Sequence, residues 1–269
     1  EKMVKVLIVQ MQSVLGDKQA NFNKVEKLLK GQEGYKPDLI ILPELFATGW
    51  FCDIYDKVAE SFGNSKIIDF LSNIAKRFNS NVIGGSFARR DDNGEIKNTC
   101  PVFDRNGEMI AFYDKMHLYS YLGDTENLNS VRGETPVIAT TDVGKIGISI
   151  CYDIRFPEIY RCYAFGGADI LVNVAAWPLS RRLHWETLIR ARAIENQSYM
   201  IAVSQTGEIQ NGIYNIGSST VLSPLGETIA SLEYEEAVLK AEFDLADMKK
   251  LRETVKTLSD RHDNYTLEV

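Results

Sequence analysis

Two hydrophobic rhythms run along this chain. Residues 4–9 form a short β-branched apolar run, which predicts a strand. Residues 21–30 place Phe22, Val25, Leu28 and Leu29 on one face with lysines opposite, the 3.6-residue period of an amphipathic helix. The breaker stretch 31–37 follows, and 39–42 is continuously apolar, as expected of a strand covered on both faces. The helical period returns over 65–78 through Ile67, Ile68, Leu71, Ile74, Ala75 and Phe78. Residues 81–87, 97–103 and 109–113 read as strands, joined by the turn sequences Asp91-Asp92-Asn93-Gly94 and Asp104-Arg105-Asn106-Gly107. Residues 119–135 are polar and read as a long loop.

The second half repeats the alternation. Residues 145–150 predict a strand, 158–165 a helix stopped by Gly166-Gly167, 170–174 a buried strand and 184–196 a helix. Strands over 200–205, 217–222 and 237–243 and a helix over 245–256 close the pattern. No linker divides the chain, which reads as one domain over 1–269, a layered α/β fold with helix-covered sheets.

Composition narrows the function classes. With 269 residues, 45% of them hydrophobic, the chain is long enough for one sizeable core. The net charge of −7 comes with mixed signs and no basic stripe, so nucleic acid is not an expected partner. No apolar run approaches the roughly 20 residues needed to cross a bilayer. The apolar stretch 6–9 is shorter than the roughly 7–15 residues of a signal peptide, and Glu1 and Lys2 read as an added or processed end. Cys52, Cys100, Cys151 and Cys162 lack paired spacing, which points to reduced thiols and a cytoplasmic protein. His117, His184 and His262 form no ligand pair, so no metal and no other cofactor is expected.

Three segments carry chemistry. In Gly147-Ile-Ser-Ile-Cys151-Tyr-Asp-Ile-Arg-Phe-Pro-Glu158 an apolar strand stops at a cysteine just before a helix. A thiol there is held out of the sheet beside free N–H groups, a setting that favours thiolate. Free cysteines are also common core residues, so Cys151 alone leaves both readings open. Leu42-Pro43-Glu44-Leu45 puts a carboxylate at the end of a buried strand, either in a structural ion pair or in use. Tyr113-Asp-Lys115-Met-His117 ends another strand; Lys115 alone reads as a surface lysine, and His117 as a packing or hydrogen-bonding residue. Together they suit one mechanism: a thiol nucleophile, a burial-tuned glutamate as base, and a lysine for the anion formed when a carbonyl is attacked.

These segments, in the order Glu, Lys, Cys, resemble the motifs of the nitrilase, or carbon-nitrogen hydrolase, superfamily from Val4 to about Tyr265. The resemblance implies an α-β-β-α sandwich that pairs into homodimers or larger assemblies. It implies that Glu44 is the general base and that Cys151 forms a thioester with loss of ammonia. Lys115 and the backbone N–H of Tyr152 would hold the oxyanion. Glu126 is the candidate for the superfamily's second glutamate, with Asp124 and Glu134 as competitors. Residues 175–185 resemble the ω-amidase-like branch, which hydrolyses ω-amides of short dicarboxylic acids such as 2-oxoglutaramate, although Ala176 stands where Asn is frequent. A substrate carboxylate needs a cation, and Arg181 is a candidate. Arg155 is another, with pairing to Glu158 as the preferred reading. Trp177 is either a pocket wall or simple core. Residues 190–196 resemble a subunit-interface helix, or form a solvated face with internal ion pairs. The expected partners are a small amide and water. Alternatives are an N-carbamoyl amino acid hydrolase, a deaminated-glutathione amidase, a nitrilase, or a catalytically idle binding module.

Overall fold

Side-chain alternation along the first strand decides the layering. The computed structural model describes residues 3–121, 124–262 and 266. In the strand Met3–Gln10, Val4, Val6 and Ile8 join one apolar cluster with Ile146, Ile148 and Ile150 of a second sheet. Leu7 and Val9 point the other way, into a cluster with Phe22, Val25, Ile67 and Leu71 of the helices Lys18–Leu29 and Lys66–Phe78. Period-two alternation therefore gives one face to a sheet and the other to helices. Each such side chain contributes about 1.5–3 kcal/mol on burial.

The first sheet runs in the order Ala237–Asp244, Met3–Gln10, Leu39–Ile41, Asn81–Ile83, Ile96–Phe103, Phe87–Arg90, with Met109–Asp114 also pairing with Ile96–Phe103. The second runs Thr228–Ser231, Thr220–Leu222, Tyr199–Ser204, Ile170–Ala175, Gly144–Ile150, Val137–Thr141. Parallel strands occupy the middle of each sheet. They are covered on both faces, which is why they read as unbroken apolar runs. Tyr160 and Tyr163 of the helix Pro157–Phe165, with Trp185 and Ile189 of Arg182–Asn196, belong to the core cluster of the second sheet. The architecture is the expected α-β-β-α sandwich.

Two expectations about elements need correction. Residues 81–87 do not form one strand: pairing breaks between Ile83 and Phe87. Gly85 has φ +60°, and a Cβ there would sit 2.1 Å from the Pro43 carbonyl oxygen, so only glycine lets the two backbones pass. The Ser86 hydroxyl then accepts the Leu45 N–H at 3.0 Å, fixing the turn that carries Glu44. Within 119–135, the polar stretch contains the 3₁₀ turn Glu126–Leu128 and two short paired strands, Ser120–Tyr121 and Asp124–Thr125. The strand Val137–Thr141 and the hairpin Thr206–Gln210/Ile213–Ile216 escape the periodicity reading because they are short and half-exposed.

Candidate active site

Glu44 leaves the end of the strand Leu39–Ile41 and is completely buried. Leu45 follows with φ +50°, turning the chain sharply. One Glu44 carboxylate oxygen accepts the Ala176 N–H at 2.8 Å, and the other lies 3.0 Å from Lys115 Nζ. The backbone carbonyl of Glu44 accepts the Gln205 amide at 2.7 Å. Lys115, one residue past the strand Met109–Asp114, sends its ammonium to Glu126 as well, at 2.8 Å. Glu126 also accepts the Tyr119 N–H at 2.9 Å, the Asn98 amide at 3.0 Å and the Tyr55 hydroxyl at 3.2 Å. Asn98 donates to Glu44 too, at 2.9 Å.

One ammonium thus sits between two carboxylates, out of contact with water. Burial pushes the Glu44 carboxyl above its ordinary range; Lys115 opposes this and the Glu126 charge adds to it. Burial also acts to raise Glu126, but Lys115 and the donors from Tyr119 and Asn98 outweigh it and hold that carboxyl low. Lys115 is held firmly cationic, because Glu126 and Glu44 outweigh its desolvation. Two carboxylates on one lysine are driven apart by their surroundings, one toward a proton acceptor and the other toward a fixed anion.

The cysteine stands at a strained turn. Cys151 ends the strand Gly144–Ile150 with φ +46°, a conformation costing about 1–3 kcal/mol for a non-glycine residue. The 3₁₀ turn Cys151–Arg155 follows, and Pro157 opens the next helix. Asp153, fully buried, accepts the Ile150 N–H at 2.9 Å and so closes the turn. The same carboxylate accepts the Tyr113 hydroxyl at 2.7 Å and the His117 N–H at 3.0 Å, and meets His117 Nδ1 at 2.7 Å. Asp153 therefore ties the lysine segment to the cysteine segment. The Asn173 amide donates to the Cys151 carbonyl at 3.4 Å.

The buried Cys151 thiol lies within the field of both Glu44 and Lys115. Burial and the Glu44 charge push that thiol well up, against the weaker pull of Lys115 and the Ala176 N–H. This corrects the expectation of a resting thiolate: desolvation and an adjacent carboxylate exceed the effect of the turn's free N–H groups.

The structure brings Glu44, Lys115, Glu126 and Cys151 together. Glu134 is exposed and takes no part, and the Asp124 side chain lies outside the described residues. Tyr152 occupies the second position of the 3₁₀ turn, where its N–H has no intrahelical acceptor. Its ring packs edge-on against Tyr119 and Phe156. Trp177 is buried against Trp185 and donates its indole N–H to the Arg181 carbonyl at 3.0 Å, so core packing describes it well. Arg155 does not reach for Glu158. Its guanidinium lies 4.9 Å over the Trp177 ring and 5.7 Å over Tyr152, with the His184 ring as polar neighbour at 3.3 Å. Cation–π contact with two rings replaces the anticipated helical ion pair. His117 stacks on Phe156 at 3.8 Å, the packing role expected of it.

The sequence reading missed Asn98, Tyr55, Asp153 and Asn173. A signal existed for two of them: Asn98 and Asn173 are polar residues inside otherwise apolar strands, where an amide must find partners.

The chain belongs to the carbon-nitrogen hydrolase family, whose model matches residues 5–253. Among its relatives is the chloroplastic omega-amidase of Arabidopsis thaliana, 36% identical over 89% of this chain and 68% of that protein. The 2-oxoglutaramate amidase of Bacillus subtilis is 34% identical over 93% of this chain and 95% of its own. Among solved structures, Nit3 of Saccharomyces cerevisiae, a member of branch 10 of the nitrilase superfamily, superposes with a TM-score of 0.87. It is 30% identical, with 95% of each chain covered.

Proposed function

We propose that this chain is a thiol-dependent amidohydrolase acting on the ω-amide of a short dicarboxylic acid. The observation that carries the reading is the buried Glu44–Lys115–Glu126 cluster, with Glu44 the carboxylate whose charge acts most strongly on the buried Cys151 thiol. Cys151 sulfur attacks the amide carbonyl as its proton passes to Glu44. Lys115 Nζ and the Tyr152 N–H stabilise the oxyanion. The intermediate collapses as Glu44 returns the proton to the leaving nitrogen, ammonia departs, and a thioester remains. Glu44 then takes a proton from water, whose attack releases the acid and restores the thiol. Glu126 stays anionic and holds Lys115 in place.

The two relatives named as amidases support the substrate class. A carboxylate on the substrate suits Arg155, whose planar cation rests on aromatic faces near the cysteine turn; Arg181 is the alternative. The pairing of Met3–Gln10 with Ala237–Asp244 supports one catalytic domain over 1–269. Exposed Leu183 and Ile194 on the helix Arg182–Asn196, with Leu225 nearby, support a homodimer, and light scattering that finds only monomer would remove that part. Unpaired thiols at Cys100, Cys151 and Cys162 support a reducing, cytoplasmic setting.

Hydrolysis of 2-oxoglutaramate, succinamate, an N-carbamoyl amino acid, deaminated glutathione and a simple nitrile tests the reading, followed as ammonia release or, for deaminated glutathione, as release of its dipeptide amine. The first two should be turned over, and Arg155→Leu should raise KM for them at least tenfold while Arg181→Leu moves it less. Turnover confined to the other three compounds would overturn the substrate class.

A further inference from the structure

Asn98 touches three of the four chemical groups at once. It lies in the strand Ile96–Phe103 and is completely buried. Its backbone carbonyl accepts the Lys115 N–H at 2.9 Å. Its side-chain nitrogen donates to Glu44 at 2.9 Å and to Glu126 at 3.0 Å. The orientation of the amide is dictated by chemistry, since turning it over would set its oxygen against two carboxylates. Its oxygen has no hydrogen-bond partner among the described residues, so the amide is a costly choice for packing alone.

We propose that Asn98 is a positioning residue for the amidase reaction: its amide clamps Glu44 and Glu126 on either side of Lys115 and keeps Glu44 aimed as the proton acceptor for Cys151. The inference rests on the reading of Glu44 as base. Lys115 cannot do this alone. A single ammonium attracts both carboxylates without directing either, whereas the two N–H bonds of one planar amide point along fixed directions. Donation to an ionised carboxylate also favours its charged form, so loss of the amide makes Glu44 harder to ionise. The titratable groups facing the two carboxylates are Lys115, Cys151 on its turn, and Tyr55 from the helix Tyr55–Val58.

The test is the pH dependence of Cys151 alkylation by acrylamide, read site by site by mass spectrometry, in wild type, Asn98→Ala and the isosteric Asn98→Asp. This readout needs no substrate turnover. In Asn98→Ala the acid limb should move upward by roughly one pH unit, a tenfold slower reaction at fixed pH on that side. Asn98→Asp adds a third carboxylate and should move it further. Exposed Cys162 should keep its wild-type profile, and buried Cys100 should stay unlabelled, which reports an intact fold. A Cys151 limb that stays in place in the folded variants overturns the proposal, as does a shift seen only where Cys100 becomes labelled. Ammonia release on the same samples separates the two ideas: an inactive wild type with the predicted alkylation shift would sink the amidase reading and leave the clamp standing.

Discussion

The two halves of the site are held by opposite physics. Beyond the strand ends of the first sheet, Glu44, Lys115 and Glu126 form a charge cluster whose members are costly to bury singly and stable only as a set. At the end of the second sheet, Cys151 sits on a strained backbone that uncharged packing would not maintain; one buried carboxylate, Asp153, pins it through backbone N–H groups. The first half is electrostatic and tunes protons. The second is conformational and aims a sulfur atom. Asp153 links them by gripping Tyr113 and His117, the neighbours of Lys115. Reaction geometry therefore depends on how two sheets pack, and neither half is complete on its own.

Removing the sulfur should give the largest effect on the conformational side. Cys151→Ala should lose turnover to background in the ammonia assay while unfolding at nearly the wild-type denaturant concentration, because the turn remains pinned by Asp153. Retained turnover would end the mechanism. Lys115→Met attacks the other half: two buried carboxylates lose their cation, and the protein should lose about 3–5 kcal/mol in denaturant unfolding as well as its activity. Because Lys115 is held above its ordinary value, its stabilising contribution is complete below about pH 10 and is lost only as pH climbs through the raised value. Unfolding measured against pH should show that loss in wild type and not in Lys115→Met.

Glu126→Gln should lower kcat strongly with a smaller change in stability, since the amide oxygen can still accept from Tyr119 and Lys115 but no longer offers the ammonium a counter-charge. A near wild-type rate would reduce Glu126 to a structural partner. Asp153→Asn should have the smallest effect, about 1–3 kcal/mol in stability, with a fall in kcat larger than any change in KM. If kcat stayed unchanged, the claim that the two halves are coupled through Asp153 would fail.

Legibility followed the range of the interactions. Strands covered on both faces announced themselves as apolar runs, and the helix Lys66–Phe78 by its period; the structure adds its Ser65 cap, whose hydroxyl accepts the Ile68 N–H at 3.0 Å. Glu44 and Cys151 stood out because each ends an apolar strand; Lys115 alone read as a surface lysine, and the resemblance to a known family joined the three. The strand break at Gly84–Ser86 was hidden because its cause is the distant Pro43 carbonyl.

By itself, then, the sequence determined the layered fold, the strand-end positions of the reactive residues and the family, since these follow from local periodicity and short motifs. Only the tertiary structure decided that Asn98 and Asp153 organise the site, that Arg155 turns to aromatic rings instead of Glu158, and that Cys151 rests as a thiol. Each of those outcomes depends on desolvation and on partners up to more than 50 residues away in the chain, such as Glu44 for Asn98, and local pattern carries no information about either.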